Sequence, residues 1–331
     1  MLSPRVALVI PVFNGASTIR RAIESALVQR PAPPEVIVID DGSTDETRQI
    51  LNGYADRIKV IRQKRQGPSA ARNAGATAAS DAAYVSFLDA DDALLPDMIC
   101  TMVGRLESAP ASVLAFSDVI PVDDKGHALD LCFIDDWFAH APSLQELLTT
   151  YWPILPSAAV MRRDACLNCG GFSDKFTAPG FEDPYLWLRM REQGEFEFVD
   201  EPLAIYRTTP ALERMLKYAG GYKIFMQLVK EHYGVSGEGL IREMSAKFMH
   251  AWNFEAAKAL RLGNKERARH AFKCALKYGP STSRVRSTSR WLRTFLPLSA
   301  ARALSGKFLR RTEVQTHWNH FFLERPSRIV F

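Results

Sequence analysis

Along the first 120 residues, short runs of aliphatic and β-branched residues alternate with stretches in which apolar positions recur every three to four residues. The runs Ala7 to Pro11, Val36 to Ile39, Ile58 to Arg62, Tyr84 to Leu88 and Val113 to Phe116 have the length and composition of strands. The intervening patterns predict helices over Ser17 to Gln29, Thr44 to Tyr54, Ser69 to Ala79 and Pro96 to Ser108. The second of these takes Ser43 or Thr44 as its N-cap and carries Asp45 and Glu46 on the first turn, where negative charge meets the exposed N–H groups. Strand and helix in strict alternation are the mark of βα units feeding a parallel sheet.

Past residue 120 the pattern loosens. Turn residues gather at Asp123 to Gly126 and Ala178 to Gly180, an amphipathic helix is predicted over Pro184 to Gln193, and a strand-like run covers Phe196 to Tyr206. Beyond Thr208 the chain reads as helical, which places a domain boundary near 210 and divides the chain into residues 1–209 and 210–331. The segment Trp252 to Pro280, with Ala256, Ala257, Gly263, Ala268, Ala271 and Ala275, resembles a single tetratricopeptide-type hairpin. One hairpin does not stand alone as an array, so it is expected to pack on the preceding domain.

A 331-residue chain that is 47% hydrophobic has material for one large core and a smaller appendage. Its five cysteines are scattered and odd in number, which predicts free thiols in a reducing compartment. Cys166 and Cys169 lack a second Cys/His pair to complete a zinc site and read as packing residues in a helix-to-loop turn. No stretch approaches the roughly 18 apolar residues of a membrane span, and the N-terminus runs directly into a strand-like segment without a signal-peptide core. The expected location is cytoplasmic. Charge adds one feature: residues 265–331 carry 15 of the 42 Lys/Arg but only 3 of the 37 Asp/Glu, a local balance of +12 that leaves −7 on residues 1–264. Such a tail is either a solvated surface or a contact for something anionic, such as phospholipid headgroups. Arg286, Arg290 and Arg293 recur at helical spacing beside Leu292, Phe295 and Leu296, the pattern of an interfacial helix that would bring the protein to the inner face of a membrane.

Candidate chemistry lies where strands end, because open α/β sheets bind ligands outside the carboxyl ends of their strands. The first strand delivers Pro11-Val12-Phe13-Asn14-Gly15, the second Asp40-Asp41-Gly42-Ser43-Thr44-Asp45, and the fourth Asp89-Ala90-Asp91-Asp92. Clustered carboxylates repel unless a cation sits among them, and Asp89-x-Asp91 offers two hard oxygen donors on one turn. Read alone, that turn fits either a divalent metal or Asp side chains bonded to their own backbone. Mg²⁺ and Mn²⁺ commonly take one or two carboxylates and complete their shells with water and substrate phosphates, which implies a diphosphate ligand. Neither a Gly-x-Gly-x-x-Gly turn nor a Walker loop is present, which removes the main support for dinucleotide oxidoreductases and P-loop NTPases.

Five segments together resemble the inverting family 2 glycosyltransferases: Ile10-Pro11-Val12-Phe13-Asn14, Asp40 to Asp45, Gly67-Pro68-Ser69-Ala70-Ala71-Arg72-Asn73-Ala74-Gly75, Phe87 to Asp92, and Gly180-Phe181-Glu182-Asp183. The resemblance covers about residues 5–207 and implies a GT-A fold, a Rossmann-like mixed sheet flanked by helices, followed here by a helical C-terminal region. It implies that Pro11, Phe13 and Asn14 border the nucleoside, that Asp41 accepts from the base ring N–H, that Asp40 braces the loop, and that Arg72 pairs with the diphosphate. Asp91 matches the direct ligand of a Mn²⁺ or Mg²⁺ ion and Asp89 a ribose or metal-water contact; Asp92 is expected to cap the next helix. Asp183, with Glu182 beside it, matches the general base, although the pair read alone also suits a helix N-terminus.

Two departures qualify the match. Tyr206-Arg207 is followed by Thr208-Thr209-Pro210 where family members often carry a His that joins the metal shell, and the Gln-x-x-Arg-Trp signature of processive synthases is absent. The expectation is therefore single-sugar transfer from a nucleoside diphosphate sugar, UDP-linked, to a glycan or lipid-linked acceptor in bacterial cell-surface polysaccharide synthesis, with no nucleic acid partner. A sugar nucleotidyltransferase, lacking here its glycine-rich basic loop, and a non-catalytic scaffold of the same fold are the alternatives.

Overall fold

The structure is a computed structural model that describes residues 5–30, 34–129, 140–149, 154–176, 180–208, 220–234 and 263–278, with single positions between 245 and 260. The expected boundary near 210, Cys132 and the basic stretch around Arg286 to Leu296 lie outside the described residues.

The chain opens as expected, with β1 (Val6–Val12), α1 (Ile19–Leu27), β2 (Glu35–Asp40), α2 (Thr47–Asn52), β3 (Lys59–Arg62), α3 (Pro68–Ala78), β4 (Tyr84–Phe87), β5 (Ala93–Leu94) and α4 (Met98–Ser108). There follow β6 (Ser112–Val122), α5 (Leu144–Thr149), a 3₁₀ turn (Pro156–Ala158), β7 (Ala159–Arg162), α6 (Arg163–Asn168), α7 (Glu182–Arg191) and β8 (Glu195–Arg207). Residues 220–234 form a further helix, α8, and α9 spans Lys265–Tyr278.

One mixed sheet of eight strands in the order β3-β2-β1-β4-β7-β6-β8-β5 runs through the molecule. The pairs β1–β2, β2–β3 and β1–β4 are parallel, whereas β7 is antiparallel to both β4 and β6. Since β2 lies on one side of β1 and β4 on the other, the strand order reverses at β1, and the crevice outside the ends of β1 and β4 is where such sheets bind ligands. Register sets this rim: Val12 lies opposite Asp40, and Val9 opposite Phe87, so the segments beginning at Phe13, Asp41 and Leu88 leave the sheet side by side.

Alternation along β1 explains why both faces are covered. Leu8 and Ile10 join a core with α1 and α4, while Ala7 and Val9 join one with α3, α7, α8 and α9. On the second face α3 lies close to β1: a Cβ at Gly75 would stand 2.2 Å from Val9 Cγ1, so only glycine permits this approach. The second core runs without a break from β1 through Phe181 and Tyr185 to Phe225, Trp252 and Phe272.

Several local expectations change. α2 begins at Thr47, later than predicted, because Ser43 and Thr44 are used by Asn14: Ser43 Oγ accepts the Asn14 N–H at 3.0 Å and Thr44 N–H donates to Asn14 Oδ1 at 2.8 Å. Asp45, one residue ahead of the N-cap Glu46, accepts Thr47 N–H at 3.0 Å, and no side chain caps the shortened helix. α7 is buried on more than one face, with Tyr185, Leu186, Trp187, Leu188 and Met190 all inside, rather than amphipathic. Asp92 does not cap α4, which is preceded by Asp97. Cys166 and Cys169 do sit in a helix-to-loop turn, at the end of α6.

Candidate active site

Arg72 organises the rim. α3 starts at the ligand side of the sheet, so a residue four positions past Pro68 emerges near the strand ends. Its side chain is buried, and its Nη2 lies 2.6 Å from Asp89 Oδ1 while Nη1 stands 3.6 Å from Asp183 Oδ1 and 3.7 Å from Glu182 Oε1. Phe172 lies against the guanidinium at 5.0 Å. The backbone of Phe172 is held by Asn73, whose side-chain amide donates to Phe172 O at 2.7 Å and accepts Phe172 N–H at 2.9 Å. The two neighbours Arg72 and Asn73 therefore bring together carboxylates that are more than 90 residues apart in the chain.

Charge and burial oppose one another here. Burial would by itself make Arg72 release its proton more easily, but Asp89, then Asp183 and Glu182, hold it above its ordinary value. Asp183 is raised well above the usual carboxylate range: burial pushes it up, Arg72 pulls it down, and Glu182 and Asp89 push it up again. Burial and the like charges win because Arg72 stands 3.6 Å from Asp183 and donates its close bond to Asp89. The turn that presents this pair is unusual. Gly180 and Phe181 both have positive φ, +93° and +71°, and Phe181 is seated between Tyr222 and Phe225 of α8 at 5.3 and 5.4 Å between ring centroids. A left-handed phenylalanine costs energy, and its burial among aromatic rings holds it there.

The acidic turn after β4 splits by environment. Asp91 is exposed, and its carbonyl accepts from Arg21 Nη2 at 2.6 Å. Asp92 is buried: Ser157 Oγ donates to its Oδ2 at 2.6 Å and the Arg207 N–H to its Oδ1 at 2.9 Å. The same Ser157 oxygen accepts the Asp89 N–H at 3.1 Å. Burial first, and then the charges of Asp89 and Asp91, push Asp92 well above the carboxylate range. Asp89 and Asp91 remain as hard oxygen donors on one turn, and among the described residues no three Asp, Glu, His or Cys side chains converge as a complete cage. This donor set fits Mg²⁺ or Mn²⁺, whose shells are filled largely by water and phosphate oxygens, better than an ion that needs an all-protein cage.

At the ends of β1 and β2 stand Pro11, inside β1 opposite Ile39, and the half-buried Phe13. Asn14, at φ +53°, spends its side chain on Thr44. Asp40 braces its loop, accepting Ser43 N–H at 2.8 Å and pairing with Arg62 at 3.0 Å. Asp41 accepts three hydrogen bonds of 2.8 Å, from Gln63 Nε2 and from the N–H groups of Gln66 and Gly67. The structure thus gathers Arg72, Asp89, Glu182 and Asp183 into one cluster, with Asp91 on the adjoining turn and Phe13 and Asp41 on the neighbouring strand ends. Sequence reasoning missed Phe172 and Ser157, neither of which stands in a segment with a legible motif.

The sequence profile of Glycosyl transferase family 2 matches residues 7–168. The succinoglycan biosynthesis protein ExoO of Rhizobium meliloti strain 1021 is 39% identical over 125 residues, which is 37% of this chain and 36% of that protein. The putative glycosyltransferase EpsH of Bacillus subtilis strain 168 is 33% identical over 133 residues, 39% of this chain and 38% of that protein. These matches take in well under half the length of either relative. Among solved structures, S. aureus TarS 1–349 is similar over 95% of this chain and 93% of its own, with a TM-score of 0.59 at 16% identity. The complex of TarS 1–349 with UDP-GlcNAc is similar too, at a TM-score of 0.57 and 16% identity over 93% of this chain and 92% of that one. At such identity the likeness shows the fold, that of GT-A glycosyltransferases.

Proposed function

We propose that the chain, whose residues 7–168 match the profile of Glycosyl transferase family 2, transfers a single sugar from a nucleoside diphosphate sugar to an acceptor hydroxyl, inverting the anomeric centre. The observation that carries this reading is the convergence of Asp89, Glu182 and Asp183 on Arg72 at the crevice where the strand order reverses. The UDP-GlcNAc complex of TarS supports a UDP-linked donor, and the likeness to ExoO supports an acceptor in polysaccharide synthesis.

The chemistry assigned to each residue follows from its surroundings. Phe13 offers a face for a planar base and Asp41 a carboxylate at its edge. Asp91 and Asp89 would hold a Mn²⁺ or Mg²⁺ ion, which supplies Lewis-acid charge against the departing diphosphate. Asp183, ionised, accepts the proton of the acceptor hydroxyl as that oxygen bonds to the anomeric carbon. The bond from that carbon to the phosphate oxygen breaks on the opposite side, and the nucleoside diphosphate leaves with the electron pair. Arg72 keeps Asp183 and Glu182 from repelling one another out of position, and so acts as a positioning residue.

The test is a panel of UDP-, dTDP- and GDP-sugars assayed for donor hydrolysis with Mn²⁺, Mg²⁺ or chelator, using wild type, Asp91→Ala and Asp183→Asn. One donor turned over by wild type, and lost both in chelator and in Asp91→Ala, is the expected result. Turnover indifferent to chelator would remove the metal role, and absence of nucleotide binding altogether would bring the scaffold reading forward.

A further inference from the structure

The loop between β3 and α3 carries an arginine to which none of the five motifs assigns a role. Arg65 lays its guanidinium carbon 3.7 Å from the centroid of the Phe13 ring. The loop beneath it is well held. Gln63 N–H donates to Asp40 O at 3.0 Å, Gln63 Nε2, Gln66 and Gly67 bond to the Asp41 carboxylate, and the backbone at Arg65 rests on Gly42. A Cβ at Gly42, whose φ is +81°, would stand only 3.1 Å from Arg65 N. Anchoring thus fixes the backbone, while the Arg65 side chain is exposed and lies over one ring.

We infer that Arg65 is a nucleobase-binding residue: the planar base of the donor inserts between the Phe13 ring and the Arg65 guanidinium, with its edge on Asp41. The inference rests on the donor reading given above and extends it. A separation of 3.7 Å is one layer of stacked atoms, so a base cannot lie on Phe13 while the guanidinium keeps that place. Lifting the guanidinium by about one more layer, roughly 3.5 Å, is within reach of a side chain with four rotatable bonds. Once lifted, its flat face covers the second face of the base. An exposed cation on one ring gains little, whereas the same cation over a base in a partly dehydrated slot gains more. Asp41 keeps capacity for the edge contact, because three of its roughly four lone-pair directions are taken by the loop. Stacking of this kind accepts any base, so Arg65 contributes affinity and Asp41 contributes the choice of base.

Calorimetric titration of the full chain in Mn²⁺ buffer tests this, using whichever of UDP, dTDP and GDP binds wild type tightest, and pyrophosphate as the baseless probe. Arg65→Ala is expected to weaken the nucleotide about tenfold and to leave pyrophosphate unchanged. Arg65→Lys, which keeps the charge and loses the flat face, is expected to weaken it about fivefold. Wild-type or tighter nucleotide binding by Arg65→Ala would overturn the inference, as would full rescue by Arg65→Lys or an equal loss for pyrophosphate, since charge alone would then be at work. Phe13→Ala separates the two levels of the argument. If it loses nucleotide affinity while Arg65→Ala does not, only the role of Arg65 falls; if neither variant changes affinity, or wild type binds no nucleotide, the donor reading falls with it.

Discussion

Arg72 is the residue on which the most depends, and its position explains how a buried arginine is tolerated. A lone guanidinium taken out of water is costly, as is each of three carboxylates around it, and the cluster persists because every member has an opposite charge within 4 Å. Asp183 pays for that crowding with a raised pKa, and this yields a pH dependence whose sign can be worked out. A base must be ionised to act, so the acid limb of kcat/KM for donor and acceptor is expected above the ordinary carboxylate value of about 3.9. Arg72→Gln, which removes the one neighbour pulling Asp183 down, is expected to move that limb further up; a limb unmoved by the substitution would separate Arg72 from the base. Stability follows the same linkage: a carboxyl whose folded pKa is raised favours folding at low pH and loses that contribution as pH rises through the raised value. Only part of this was legible in the residues. Asp89 and Asp183 were found from their motifs, but a motif fixes where Arg72 falls on its helix and not which anion it meets. A diphosphate and a carboxylate ask for the same fork of donors.

At the scale of elements, the acidic turn is held by three pieces of chain that meet at Ser157. This hydroxyl joins the Asp89 amide to the Asp92 carboxylate, whose other oxygen receives the N–H of Arg207 at the end of β8. The turn after β4, the 3₁₀ turn and the last residue of β8 therefore keep one geometry. Ser157→Ala would leave the Asp89 N–H and one Asp92 oxygen without these partners, at a cost of about 2 kcal/mol in urea unfolding. It is also expected to raise the Mn²⁺ concentration needed for half-maximal donor hydrolysis more than it lowers the maximal rate. Equal loss in both would reduce Ser157 to a core residue. Most parallel strands were readable to within a few residues because their apolar runs are bounded by turns. β7, four residues long, and β5, two residues long, were not, since neither is long enough to show a period. The predicted amphipathic face of α7 failed for a related reason: with the sheet, α5 and α8 around it, nearly every side of that helix is an inside.

For the whole molecule, the core passes from the sheet through Phe181 and Tyr185 into the C-terminal helices, so the turn that presents Glu182 and Asp183 is buttressed by residues beyond the expected boundary near 210. The expectation that the C-terminal hairpin packs on the preceding domain holds, with Trp252, Ala256, Ala268 and Phe272 in the same core as the sheet; which residues receive it was not legible, because helical periodicity marks a buried face without naming its partner. Charge, in contrast, is read without a fold. No described helix is long and apolar enough to cross a membrane, and the balance of +12 on residues 265–331 against −7 on residues 1–264 gives the chain two ends that respond oppositely to an anionic surface. Basic residues near such a surface contribute about 1 kcal/mol each, and the attraction fades beyond a Debye length of about 8 Å at physiological salt. Flotation with phosphatidylserine-containing vesicles is therefore expected to carry the full chain with the lipid at low salt and to release it near 0.5 M NaCl, a concentration at which the Debye length is about half as long. Neutral phosphatidylcholine vesicles should leave it in solution. Binding that survives high salt would mean that apolar insertion carries the contact, and no binding to either vesicle would make the basic stretch an ordinary solvated surface.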